Sequence, residues 1–243
     1  FQVIECLAEN GPMGIMDLSA ELGFHKSTTH RLVTSLQYMG YIRQDEESLK
    51  YALSLKFLEI GSKILEQTNM ASLIHPSLKK LSEQTGETVH LVRREGTEAV
   101  YIDKVESTVS SIRMVSRVGS RIPLYCSGVG KALLAELPDP EIEDIWNSSE
   151  ITSLTPYTVT SLSDLMDRIR GVREAGYAMD DEENEEGVRC IAVSIPDYHK
   201  EPVYALSISA PVSRMTDARI AELSTDVLTF KKDLEKTLGF SRS

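Results

Sequence analysis

The sequence predicts an α+β fold: an N-terminal winged helix-turn-helix, a linker helix, and a C-terminal domain of antiparallel sheet with flanking helices. Three observations point there. Apolar residues recur at helical spacing in three short segments before residue 40, with glycine breaks between them. Two short runs of β-type residues then flank an acidic turn, which makes a two-stranded wing. From Leu73 onward, several strands adjacent in sequence are interspersed with longer helices, the order of a sheet with helices packed on it. The boundaries that follow are residues 1–56 for the winged unit, 57–72 for the linker helix and 73–243 for the C-terminal domain.

The first helix spans Phe1 to Glu9, with Phe1, Ile4 and Leu7 or Ala8 at helical spacing, and Gly11-Pro12 ends it. Ile15–Leu22 is the second, with Ile15, Leu18 and Leu22 at helical spacing before the break at Gly23. The third spans Ser27–Met39. Ser27 reads as its N-cap, because a serine hydroxyl can accept from a free amide of the first turn. Leu32, Val33 and Leu36 read as its buried face, and Gly40 ends it. Tyr41-Ile42-Arg43 and Lys50-Tyr51-Ala52-Leu53 flank the turn Asp45-Glu46-Glu47-Ser48. Leu55, Leu58, Ser62 and Leu65 extend an amphipathic linker helix to about Asn69, with apolar surface left for a partner.

In the C-terminal part, a helix at Leu73–Thr85 precedes strands near Glu87–Arg94, Glu98–Val105 and Ser111–Val118. A helix starts near Gly128 and runs through Lys131-Ala132-Leu133-Leu134. The polar stretch Asn147–Thr160 reads as loop, and Leu162–Ala175 as a helix stopped by Gly176. Strands at Tyr177–Asp180, Val188–Ile195 and Val203–Ser209 lead to a last helix from about Asp217 to Leu238.

Composition narrows the class. The 243 residues suffice for one large domain or two modest ones. No run of about 18 apolar residues occurs, so no membrane span is expected. The chain starts at Phe1, apparently inside a helix, so a few preceding residues are expected; no signal-peptide pattern is visible. Cys6, Cys126 and Cys190 are odd in number and widely spaced, which argues against a disulfide framework or structural zinc and fits a reducing cytoplasm. No metal or cofactor is expected.

The net charge of −11 is not that of a nucleic-acid binder. The distribution is more informative. From Leu22 to Gln44 there is no Asp or Glu, while Lys26, Arg31 and Arg43 all fall there. The third helix opens His25-Lys26-Ser27-Thr28-Thr29-His30-Arg31, a start that can meet phosphates and base edges in a groove of double-stranded DNA. Lys26, Arg31 and Arg43 are candidates for phosphate or guanine contacts, and Ser27, Thr28, Thr29 and His30 for base or backbone contacts. A small basic patch on an acidic chain gives salt-dependent binding that needs more than one copy.

Other motifs are weaker. Gly128-Val129-Gly130-Lys131 lacks both the earlier glycine and the following Ser or Thr of a phosphate loop, since Tyr125 and Ala132 stand there. Its amides could receive a carboxylate at a helix start, or the glycines could serve a plain strand-to-helix turn. Asp180 to Glu186 is the densest charge run and reads as a solvated loop. One or two of its acids could point inward to ligand hydroxyls, and it lacks the central glycine of a calcium loop. Period-two alternation puts Cys190, Ala192 and Ser194 on one strand face, and Ser207 and Ser209 on one face of the next. Such a face suits a small polar ligand or, more commonly, water. The histidines are scattered, no nucleophile elbow exists, and no catalytic set stands out.

Together these residues resemble the IclR family of bacterial transcription regulators over essentially the whole chain. The carriers are His25 to Leu32, the stretch Arg121-Ile-Pro-Leu-Tyr125 leading to Gly130 through Ala135, Asp180 to Ala192 with Gly187-Val-Arg-Cys190, and Leu206 to Pro211. The resemblance implies a GAF-like C-terminal effector domain and assembly as a homodimer or a dimer of dimers. Within the family the chain looks most like the KdgR type, which responds to 2-keto-3-deoxygluconate. Ser111 to Gly119 and Glu182 to Cys190 carry that closer match. Carried over residue by residue, the effector pocket falls on Met114, Gly128, Val129, Asp180, Val188, Cys190, Ser207 and Ser209. Valine at 129 departs from the alanine of some members and narrows the pocket. The expectation is a cytoplasmic, non-enzymatic repressor that binds operator DNA under control of a small organic acid. The alternative is an enzyme acting on a keto acid, with the N-terminal unit used for assembly.

Overall fold

A computed structural model of the chain describes residues 1–67, 70–107, 116–197, 199 and 201–238. The chain forms two compact units, Phe1–Asn69 and Met70–Ser243. Among the described residues no helix is long and apolar enough to cross a membrane.

The first unit carries α1 (Gln2–Asn10), α2 (Ile15–Leu22), α3 (Lys26–Tyr38), β1 (Ile42–Gln44), β2 (Tyr51–Leu53) and α4 (Lys56–Gln67). Val3, Cys6, Leu7, Leu18, Val33, Ile42 and Tyr51 form its core. A fully buried side chain of this size contributes about 1.5–3 kcal/mol, so this handful is what orients α3. Gly23 ends α2 in the left-handed region (φ 65°), where only glycine turns freely, and the chain swings directly into α3. β1 and β2 pair antiparallel, Arg43 opposite Ala52, and make the expected wing.

Two details differ from expectation. Ser27 is not the N-cap. The chain is already helical at Lys26, and His25, extended at ψ 141°, caps through its carbonyl, which accepts from Thr28 and Thr29. Leu32 is 38% exposed, because the inward stripe runs Thr29, Val33, Leu36 and passes beside it.

The second unit contains α5 (Met70–Thr85), β3 (Thr88–Glu95), β4 (Glu98–Val105), β5 (Arg121–Pro123), α6 (Gly128–Leu134), α7 (Asp139–Asn147), α8 (Leu162–Ala175), β6 (Ala178–Asp181), β7 (Val188–Ile195), β8 (Tyr204–Pro211) and α9 (Asp217–Thr237). One antiparallel sheet has the order β5-β4-β3-β8-β7-β6. Both faces are covered. Val89, Leu91, Ile191, Val193, Leu206 and Ile208 pack under α5 and α9. Val92, Ala99, Ala192 and Ala205 pack under α6 and α8. The face bearing Cys190, Ser207 and Ser209 is therefore not an outer face washed by water.

Further differences concern short elements. The strand expected at Ser111–Val118 lies partly outside the described residues. Ser116 to Val118 form no strand, and Arg121–Pro123 supplies the edge instead. α7 was not expected. Its acid-rich sequence hides three inward apolar residues, Ile142, Ile145 and Trp146.

Candidate nucleic-acid interface and effector pocket

α3 presents Lys26, Ser27, His30 and Arg31 outward, with Thr28 half-buried, and Arg43 is exposed on β1. None of Lys26, Arg31 and Arg43 belongs to an ion pair among the described residues, so all three charges remain available to phosphates. Thr29 differs: it is fully buried, and its hydroxyl donates to the His25 carbonyl at 3.3 Å. It supports the helix from within and offers DNA no surface. The far end of α3 is fixed by Lys56, which sequence reasoning did not single out. Its Nζ donates to the Met39 carbonyl at 2.7 Å and sits 4.2 Å from the Tyr41 ring centre. A cation here answers the partial negative charge of a helix C-terminus.

In the second unit, strand register brings the distant candidates together. Asp180 stands opposite Cys190, Cys190 opposite Ser209, and Ser209 opposite Thr88, one row across four strands. The next row on the same face is Ala178, Ala192, Ser207 and His90. α6 lies over these rows. Gly128 explains how closely: a Cβ there would stand 2.8 Å from the Cys190 Sγ. Gly130 is tighter still, since a Cβ would fall 2.1 Å from the Leu124 carbonyl oxygen. These glycines serve close approach rather than phosphate binding. Ser127 caps α6, its hydroxyl accepting from Gly130 N at 3.1 Å. The Gly128 amide faces the Cys190 thiol.

The floor of the site is polar and buried. The Ser207 and Ser209 hydroxyls lie 3.3 Å apart, each 3.4 Å from His90 Nδ1, and His90 Nε2 bonds Ser116 at 2.7 Å. Tyr101 meets the His90 ring edge-on at 5.2 Å. Burial, aided by Lys104, pushes the His90 pKa down to about 3, so the imidazole is neutral. Burial pushes the Cys126 thiol up to about 12, and Cys190 and Tyr101 well above their ordinary values. Asp180 is 5% exposed, and its Oδ1 accepts from Glu183 N (2.8 Å) and Asn184 N (3.3 Å). Desolvation raises its pKa to about 7, opposed by Lys131 and by those amides. Val188 is half-buried at the start of β7, and Met114 lies outside the described residues.

The acid run is divided. Asp181 and Glu186 are exposed as a solvated loop would be, whereas Asp180 and Glu183 are buried. His90 and Tyr101 were missed. The alternation Thr88, His90 against Val89, Leu91 on β3 was the signal for the first. Clefts exist elsewhere, one of about 460 Å³ between α5 and α9. It carries no convergence of buried polar groups, and the chemistry favours the closed site under α6.

The arrangement has relatives. Residues 1–46 match the IclR helix-turn-helix domain, and residues 62–235 match the C-terminal domain of the bacterial transcriptional regulator IclR. The chain belongs to the IclR family. It is 36% identical over 244 residues to the acetate operon repressor of Salmonella typhimurium, covering 99% of this chain and 89% of that protein. It is 35% identical over 240 residues to the transcriptional regulator KdgR of Escherichia coli, covering 99% and 91%. The crystal structure of Thermotoga maritima IclR superposes with a TM-score of 0.67 at 32% identity, covering 98% and 96%. These relatives are transcriptional regulators, not enzymes, which sets the keto-acid enzyme aside. IclR-family members with different names match at similar identity, so relatedness does not single out 2-keto-3-deoxygluconate.

Proposed function

We propose that this chain is a cytoplasmic repressor that grips double-stranded operator DNA through Lys26, Ser27, Thr28, His30, Arg31 and Arg43. A small organic acid, 2-keto-3-deoxygluconate or a related 2-keto or sugar acid, controls it. One observation carries the second part: a closed, polar floor of Ser207, Ser209, Cys190 and Asp180 lies directly under the glycine-thinned start of α6. Amides of Gly128 and Val129 suit a carboxylate, the serines suit keto or hydroxyl oxygens, and Asp180 suits a hydroxyl donor. Binding one DNA-competence state better than the other is what lets such a ligand switch the protein.

The cationic island on an acidic chain supports action in pairs. Leu55 (82%) and Leu58 (68%) leave apolar surface exposed at the start of α4, which favours a homodimer, or a dimer of dimers, built through the linker segment 57–72. In this reading residues 1–56 read DNA and residues 73–243 bind effector.

A thermal-shift screen of 2-keto and sugar acids tests the ligand class. A ligand at about 100 times its Kd stabilises by about 2.7 kcal/mol. Stabilisation by 2-keto-3-deoxygluconate, lost in Ser209→Ala, is the expected result. A shift with other acids alone would remove that sugar acid and keep the pocket. No shift with any acid would remove the pocket.

A further inference from the structure

Two sequence features have no part in the reading above: the lysine behind the α6 glycines, and the second buried member of the acid run. They meet. Lys131 Nζ donates to Glu183 Oε1, and the two side chains are 2% and 4% exposed. A buried ion pair is seldom kept for stability alone, since well-packed apolar replacements are often as stable. What it connects is more telling. Lys131 lies one turn beyond Gly128 on α6, the wall whose first amide faces the Cys190 thiol. Glu183 donates its main-chain N–H to Asp180, and its carbonyl accepts from Thr158 at 2.6 Å. A single pair thus ties the amide wall to the carboxyl wall, from outside the pocket.

We propose that Lys131 and Glu183 are a positioning pair that sets Asp180 against the α6 amides, so that a small organic acid is gripped by both walls at once. This rests on the effector reading.

The electrostatic surroundings make the pair testable. Around Asp180, Cys126 ahead of α6, Cys190 on β7 and Tyr101 on β4 are neutral thiols and a neutral phenol, and His90 on β3 is a neutral imidazole. Glu185 is half-buried on the same turn and acts on Tyr101. Lys131 and Glu183 are the charged groups that act directly on Asp180, and they act oppositely: the ammonium favours its carboxylate, the second carboxylate opposes it.

The experiment uses the full chain, a panel of glyoxylate, pyruvate and 2-keto-3-deoxygluconate, and titration calorimetry of whichever acid binds, across the neutral pH range. Lys131→Met and Glu183→Gln are each expected to raise Kd about tenfold or more, the scale seen when a metal-liganding side chain loses its outer partner. The midpoint of the pH dependence should move up in Lys131→Met and down in Glu183→Gln. A merely structural role would leave Kd unchanged in variants that keep their Tm. If Lys131→Met does not fold, the double variant Lys131→Met/Glu183→Gln replaces it. Weak binding at near wild-type Tm is then expected. Unchanged Kd in folded variants, or midpoints moving together, overturns the proposal. If Asp180→Asn and Ser209→Ala also leave binding unchanged, the pocket itself is misplaced and the pair falls with it.

Discussion

His90 on β3 and Asp180 on β6 stand in neighbouring rows of one buried sheet face, and burial moves their proton equilibria in opposite directions. His90 is lowered from 6.5 to about 3, so between those values the unfolded chain holds a proton that the folded one does not, and stability rises with pH. Asp180 is raised from 3.8 to about 7, so there the folded chain holds the extra proton, and stability falls as pH rises. The windows overlap between 3.8 and 6.5, where the two slopes cancel. Asp180→Asn should unmask a Tm that climbs with pH in that window, and His90→Asn one that declines. Circular-dichroism melts across the window decide it; parallel curves for both variants and wild type would contradict the assignment.

The same row predicts how the ligand responds to pH. An organic acid brings a second negative charge beside Asp180, so binding favours the protonated carboxyl and takes up a proton. Affinity for an anionic ligand should fall as pH rises through about 7, and Asp180→Asn should flatten that fall. Calorimetry in buffers of different ionisation enthalpy reads the proton directly. Proton release on binding would show that the carboxylate form is preferred.

Gly128 and Gly130 should fail differently. Alanine at 130 collides with main chain at Leu124, which cannot step aside, and overpacking of this kind costs about 1–3 kcal/mol or more. Alanine at 128 meets a thiol end that can rotate. Gly128→Ala should keep most of the Tm yet lose the ligand-induced shift, while Gly130→Ala should lose Tm outright. Equal losses of Tm would mean that Gly128 is packing alone.

For DNA, Arg31→Ala should cost about 1–3 kcal/mol of operator affinity if the guanidinium pairs with guanine, and Lys26→Ala should lower the salt slope by about one if it holds a phosphate. Thr29→Val is the control. Its hydroxyl lies inside the unit, so operator affinity should change only as far as stability does. Fluorescence anisotropy at several salt concentrations separates the three. A large affinity loss in a fully stable Thr29→Val would mean that α3 meets DNA with another face.

Lys56→Met keeps the side-chain bulk and removes the donor to the Met39 carbonyl. It should cost about 1 kcal/mol, the net worth of one hydrogen bond, seen as faster amide exchange in the last turn of α3. Unchanged exchange there would leave Lys56 no capping role.

The long elements were legible because their patterns are long. β7 and β8 alternate with period two and α8 repeats at helical spacing, and each was placed to within two residues. β5 has three residues, too few for any period to show. In α7, Pro138 and Pro140 flank the first turn, where proline fits a helix, so the start carries none of the usual polar cap signal. Cys190, Ser207 and Ser209 could be found by alternation, since strands keep side chains in register. The Lys131–Glu183 pair could not, because nothing local distinguishes a buried acid among five others until the turn is folded. Glu182 at φ 60° and Gly187 at φ 82° make that turn, and sequence gives no cue for the first.

The contact of Gly130 with Leu124 is between main chains, with no side chain between them to rearrange. α6 and the segment before it are therefore packed main chain against main chain. The 182–187 turn opposite is joined by main chain at its far end, where Val212 N donates to the Gly187 carbonyl, and at Glu183 it also hangs on side-chain tethers: Thr155 and Thr158 from one loop, and Lys131 from α6. Tethers of that kind can be exchanged one at a time. The closed site therefore has an anvil on one side and a latch on the other.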